Sequence, residues 1–356
     1  MGDRVTTTAA QPPLADQRRT RPLRVWLTVL VCCVVVALLF LQRRRLAELP
    51  QILAEANWKW IGVGVVAQVA SIGALARLQR RLISVRGGHR SLPSVIATTW
   101  AGNAISISLP LVGPATAAVF VFKRFTAIGV DRAAAAWALA ISGIYSTVSF
   151  TAITAVGAIV SGSTGLAVTG AITVVALVIP VCIVLAVLRR PRVHAAATTA
   201  FAALLRLSQR MLHRPKGNAD QISTSTLDQL ITLRLGPRDT VIASATAVLN
   251  WTLDLACLAC AIVAVHGAVP WQGLILAWAA GGSVASLGLT PGGLGVVEIA
   301  LGAALMGVGL PGAAALAAAL LYRATKLGLV LAVGGVTLLV IRRTLPVPAG
   351  ELPGPH

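Results

Sequence analysis

Two acids and two bases sit inside long apolar runs of this chain: Asp254, Glu298, Arg323 and Lys326. An unpaired charge in an apolar medium is costly, so such residues pair with one another, carry a proton or meet a ligand. The guanidinium of Arg323 is planar and suits a two-point partner, carboxylate or phosphate alike. Lys326 follows one turn later, on the same side of a helix. Asp254 closes a polar stripe with Thr246 and Asn250 at i, i+4 spacing. Two readings of the set stand side by side. One is a network of ion pairs that ties helices together; the other is a pocket for an anionic headgroup.

Glu298 ends an unusual stretch, Leu289-Thr-Pro-Gly-Gly-Leu-Gly-Val-Val-Glu298, inside an apolar region running from about Trp271 to Gly309. Proline removes a backbone donor and glycine weakens a helix, so the region is not one plain spanning helix. Broken backbone at membrane depth persists only when buried in protein or lining a wet cavity. Thr290 is a residue type that caps, Pro291 suits a first helical position, and Gly292 and Gly293 permit a tight turn. A half-helix beginning near Gly295 would aim free N–H groups and a positive dipole end into the membrane, an anion site suited to phosphate. Glu298, one turn on, would interact favourably with the same dipole.

Other chemistries find no support. There is no HExxH or GxSxG motif, and GGxG without a following GK[ST] is not a phosphate-binding P-loop. The histidines are scattered, and Cys257 and Cys260 lack a second ligand pair, so neither a metal nor a cofactor is expected. The two cysteines read as small apolar residues on one helix face. The formal charge is +19, but its arginines cluster between apolar segments. That placement fits contact with anionic lipid headgroups and not nucleic acid.

The elements that position these residues follow from hydropathy and charge. With 56% hydrophobic residues and 12% charged ones, the chain reads as an all-α polytopic membrane protein. Residues 1–23 read as a disordered basic arm and 342–356 as a disordered tail. Residues 24–341 read as one integral membrane domain, with halves 24–188 and 240–341 joined by a basic segment, 189–239. Full spans are expected near 24–42, 58–76, 133–160, 165–188, 240–265 and 313–341, and an interfacial helix near 193–212. Arg77, Arg80, Arg81, Arg86 and Arg90 are expected in a cytoplasmic loop. The stretch from Pro93 to Phe122 is interrupted by Asn103, Ser106, Ser108, Pro110, Gly113 and Pro114, with basic residues on both flanks. Asn103 reads either as a satisfied core amide or as part of the site.

Charge bias then gives about six full crossings, with both termini cytoplasmic, plus two broken hairpins dipping from opposite faces. Broken segments at corresponding positions of two pseudo-inverted halves point to a transporter-like site. Ten short helices, with the hairpins crossing fully, preserve the same sidedness.

Leu289-Thr-Pro-Gly-Gly-Leu-Gly-Val-Val-Glu298, then Gly309-Leu-Pro-Gly, then Leu320-Leu-Tyr-Arg323 resembles the lysylphosphatidylglycerol synthetase transmembrane, flippase-like family. Ala101-Gly102-Asn103, Leu109-Pro110, Gly113-Pro114 and Gly129-Val130 extend the likeness into the first half. The resemblance implies an inner-membrane protein that moves lipid between leaflets. It implies Pro291, Gly292, Gly293, Glu298, Tyr322 and Arg323 as site residues, with Asn103 and Asp254 second; Lys326 joins them by its place one turn after Arg323. Family members often carry an acid after the first-half GP break and a Glu-Arg pair in the next helix. Here those places read Ala115-Thr116-Ala117 and Ser142-Gly143-Ile144-Tyr145, so first-half charge chemistry differs. Aminoacyl transfer to lipid is not expected of this chain, and it is not read as an enzyme. The competing expectation is a non-catalytic membrane partner of an envelope glycosyltransferase or lipid-assembly complex.

Overall fold

Asn57 opens the first well-defined helix by accepting a hydrogen bond from the Lys59 N–H (3.1 Å), and Asp131 opens another by accepting from Ala134 N–H (3.1 Å). Three further helices carry proline in their first turn, where its missing N–H costs nothing. The computed structural model describes residues 54–88, 90–162 and 235–344. Among these, the elements are all helical: α1 (Trp58–Val85), α2 (Leu92–Ser108), α3 (Gly113–Ala127), α4 (Arg132–Val160), α5 (Pro237–His266), α6 (Trp271–Ser286), a short 3₁₀ turn (Pro291–Gly293), α7 (Val296–Gly307) and α8 (Gly312–Thr344).

Four of these, α1, α4, α5 and α8 (counted to Ile341), are helices of 28–30 residues that each contain an apolar stretch suited to crossing a membrane, which takes roughly 20 residues. α2, α3, α6 and α7 have 17, 15, 16 and 12 residues, shorter than the roughly 20 of a usual spanning helix. They come as two pairs, each interrupted where proline and glycine interrupt the sequence. The expected spans near 24–42 and 165–188, the arm, the 193–212 helix and most of the 189–239 segment lie outside the described residues.

One expectation is corrected. Arg77, Arg80 and Arg81 are not in a loop; α1 continues through them to Val85. The charges are tolerated because Arg77 and Arg80 are exposed, while Arg81 pairs with Asp239 at the start of α5 (Nε to Oδ1, 2.7 Å). Long arginine side chains let a helix outrun its apolar stretch.

α1 packs along α5, and α8 packs against α2, α5 and α7. Gly64 makes the α1–α5 approach possible: a Cβ there would lie 3.4 Å from the Cβ of Cys260. Cys257 and Cys260 are buried, free thiols and serve as small packing residues, as expected. One core gathers Leu258, Ile262, Leu274, Leu301 and Leu305 around α5–α8. Another gathers Leu78, Leu82, Phe125 and Trp137 around α1, α3 and α4. Val66, Ile159, Val336 and Leu339 are exposed and present apolar surface outward, as a bilayer requires.

Candidate functional site at the paired breaks

After α6, the chain turns at Gly288 and enters the 3₁₀ turn. Gly292, Gly293 and Gly295 have φ of 60°, 72° and 82°, a left-handed conformation that only glycine adopts cheaply. Space imposes the same choice at Gly293, where a Cβ would meet Val297 at 2.5 Å and Arg323 Nη2 at 3.3 Å. α7 starts immediately after Gly295, as expected, and Glu298 is in its first turn. The expected cap is not formed. Thr290 Oγ1 donates to the Leu294 carbonyl (2.9 Å) and thereby closes the loop, leaving α7 without a side-chain cap.

The four charges do not form one cluster. They form two pairs that share α8. Arg323 Nε donates to Glu298 Oε1 at 3.0 Å, and its Nη2 donates to the carbonyl of Gly292 within the break. Both side chains are almost fully buried. The second carboxylate oxygen, Glu298 Oε2, is buried and has no hydrogen-bond partner. Lys326 Nζ, by contrast, pairs with Asp254 Oδ1 at 2.7 Å. Asp254 Oδ2 accepts from Tyr322 Oη (2.8 Å) and Trp278 Nε1 (2.9 Å). Lys326 also donates to Tyr322 Oη at 3.1 Å.

The two pairs therefore differ in kind. Asp254 takes three donors from α6 and α8 and has little capacity left, so it acts as a three-helix anchor. Glu298 is held by one donor, and a buried, half-satisfied carboxylate is expensive. Arg323 is divided between a carboxylate and a backbone carbonyl, and has no two-point partner. Of the two pairs, this one has unused bonding capacity for a ligand.

Trp278 was not singled out in the sequence, because an indole in an apolar helix looks like ordinary core. Its ring is set by Phe150 (centroids 4.9 Å apart) and Trp251 (5.7 Å), which direct its N–H to Asp254. Trp278, Val297, Tyr322, Arg323 and Lys326 line a void of about 20 Å³, room for about one water. Asn103 stays within its own helix, its amide donating to the Thr99 carbonyl at 2.9 Å. Thr246 likewise bonds back to Ile242 (2.8 Å), while Asn250 Oδ1 accepts from Ser71 of α1 (3.1 Å).

The two breaks meet. Leu111, between α2 and α3, donates its N–H to the Gly288 carbonyl at 2.9 Å. Leu111 has φ of 58°, the one non-glycine with positive φ among the described residues. The carbonyl of Ile107 comes within 3.6 Å of a Cβ placed on Gly292. The tip of each broken pair is thus in contact with the tip of the other.

Long apolar helices alternating with broken ones, and ion pairs buried between them, define an integral membrane protein with a polar site inside its helical core. The sequence profile of the lysylphosphatidylglycerol synthase TM region matches residues 25–334, and the chain belongs to that family. The family ties it to membrane-lipid biology. No curated protein matches the chain at a significant level.

Proposed function

We propose that this chain moves a lipid with an anionic headgroup, a phospholipid or a lipid-linked sugar, between the leaflets of the inner membrane. The observation that carries the reading is the state of Arg323, shared between Glu298 and the Gly292 carbonyl in a glycine-built break. A phosphate offers the two-point partner that neither of those groups provides. Its arrival would free the break from α8, and the void of about 20 Å³ would have to widen to admit it. Pro291, Gly292, Gly293, Glu298, Tyr322, Arg323, Lys326 and Asp254 would then line or brace the path, with Asn103 at the facing helix. In this reading residues 24–341 form one domain of six crossings and two re-entrant hairpins, both termini cytoplasmic.

Reconstitution of the full chain in vesicles with labelled phosphatidylglycerol or a labelled lipid-linked sugar tests it. Arg323→Ala removes the cation and Glu298→Gln removes the negative charge of its partner, so transfer should slow about tenfold or more in each. Wild-type rates in both variants, checked for monodispersity in detergent, would show that the site lies elsewhere.

A second reading draws on the smallness of the same void and on the saturation of Asp254. Ion pairs that only tie helices together suit a non-catalytic membrane partner of an envelope glycosyltransferase or lipid-assembly complex, docked through the basic 189–239 segment. Deleting that segment separates the two. A lost partner with intact lipid movement favours the second reading for that surface.

A further inference from the structure

A larger cavity lies far from the paired breaks. It opens between the α3–α4 turn and the end of α8 and has a volume of about 1010 Å³. Lys123, Arg124 and Arg132 line it. Asp131 is there too, with Oδ2 accepting from the Ala134 N–H that it caps, so three cations face one carboxylate in the lining. Arg124 is the telling residue: its Nε is removed from solvent and has no hydrogen-bond partner. A guanidinium donor left so is costly unless something accepts from it. The remaining wall is apolar, including Phe120, Val130 and Ile341.

Size and depth identify what fits. The volume is at the upper end of small-molecule sites, about 300–1,000 Å³, and far exceeds what a free phosphate fills. Ile341 closes the apolar span of α8, so the cavity sits at the level where hydrocarbon gives way to headgroups. Cations beside apolar wall at that level match a phosphodiester with its acyl chains. Eighteen positions of helix separate Ile341 from Arg323, about 27 Å along the axis, so this is a separate place from the ion pairs.

We propose that this cavity is a binding site for an anionic phospholipid, its phosphate on Lys123, Arg124 and Arg132 and its acyl chains along Phe120, Val130 and Ile341. The proposal stands whether or not the chain translocates lipid. Each cation near an anionic headgroup contributes about a fivefold gain in binding, so loss of two should weaken the site about 30-fold.

The test uses the full chain in vesicles containing a small fraction of acyl-photoreactive phosphatidylglycerol, with cross-links located by peptide mapping. Wild-type protein should label in the 120–132 peptide, and unlabelled phosphatidylglycerol should compete while phosphatidylcholine does not. Lys123→Gln/Arg132→Gln should lose that label, whereas Lys123→Arg/Arg132→Lys, which keeps the charge, should retain it. Arg77→Gln, an exposed cation outside the cavity, should label like wild type. Three results would overturn the proposal. They are equal labelling by a photoreactive phosphatidylcholine, displacement by inorganic phosphate alone, and a loss in Arg77→Gln as large as in the double variant.

Discussion

Arg323 and Lys326 lie one turn apart on α8, both face carboxylates, and yet they are held in different ways. Arg323 and Glu298 have side chains 6% and 7% exposed. Removing the cation would strand a buried acid, which costs about 3–5 kcal/mol. The Lys326 side chain is 29% exposed, and without it Asp254 keeps the Tyr322 and Trp278 donors. Arg323→Met should therefore lower the unfolding temperature in detergent clearly more than Lys326→Met. Equal losses would mean that Glu298 finds another partner. Glu298→Met/Arg323→Met should regain most of the stability lost in Arg323→Met, because replacing both members of a buried pair by apolar groups is often neutral or better. The same double variant separates structure from function. A stable protein that no longer moves lipid would place the pair in the transport path; a stable protein that still moves it would leave the pair a strut.

Where elements begin and end was largely readable from residue type; how they meet was not. The span expected near 240–265 is α5, Pro237–His266, and the start of α7 at Gly295 was visible in its glycines and proline. Arg77, Arg80 and Arg81 mark the end of the apolar stretch in the sequence but not of the helix, because a long side chain lets α1 run on to Val85. Four charges could be named from hydropathy alone. Their sorting into Arg323–Glu298 and Lys326–Asp254 depends on helix rotation and on Trp278, which no local pattern encodes. Helix contacts leave a similarly hidden mark on adjacent glycines. A Cβ on Gly334 would lie 2.5 Å from the Trp100 carbonyl of α2, while one on Gly335 meets nothing within 4 Å. Gly334→Ala should cost about 1–3 kcal/mol by forcing α8 off α2. Gly335→Ala should be neutral or stabilising by up to about 1 kcal/mol, from helix propensity. Thermal unfolding of the two variants measures both, and equal behaviour would mean that α2 and α8 are not in such close contact.

At the scale of the whole molecule, the contact between the two breaks is the feature with the largest consequence. The broken pairs are built of helices of 12–17 residues, and the Leu111 N–H to Gly288 carbonyl bond joins their tips. On the translocation reading those tips must part for a headgroup to pass, because the void beside Arg323 holds about one water. On the partner reading nothing requires them to part. A cross-link distinguishes the two. A Cβ on Gly288 would lie 3.7 Å from the Leu111 Cα, close enough for a disulfide to span with little backbone movement. With Cys32, Cys33, Cys182, Cys257 and Cys260 replaced, Leu111→Cys/Gly288→Cys should cross-link on mild oxidation. Gly288 has φ of 59°, so a side chain there is strained, and the single Gly288→Cys variant provides the baseline. Oxidation of the double variant should stop lipid movement, reduction should restore it, and neither treatment should affect either single variant. Unchanged movement in the fully cross-linked protein would mean that lipid does not pass between the breaks, and the headgroup path would have to be sought on another face of α8.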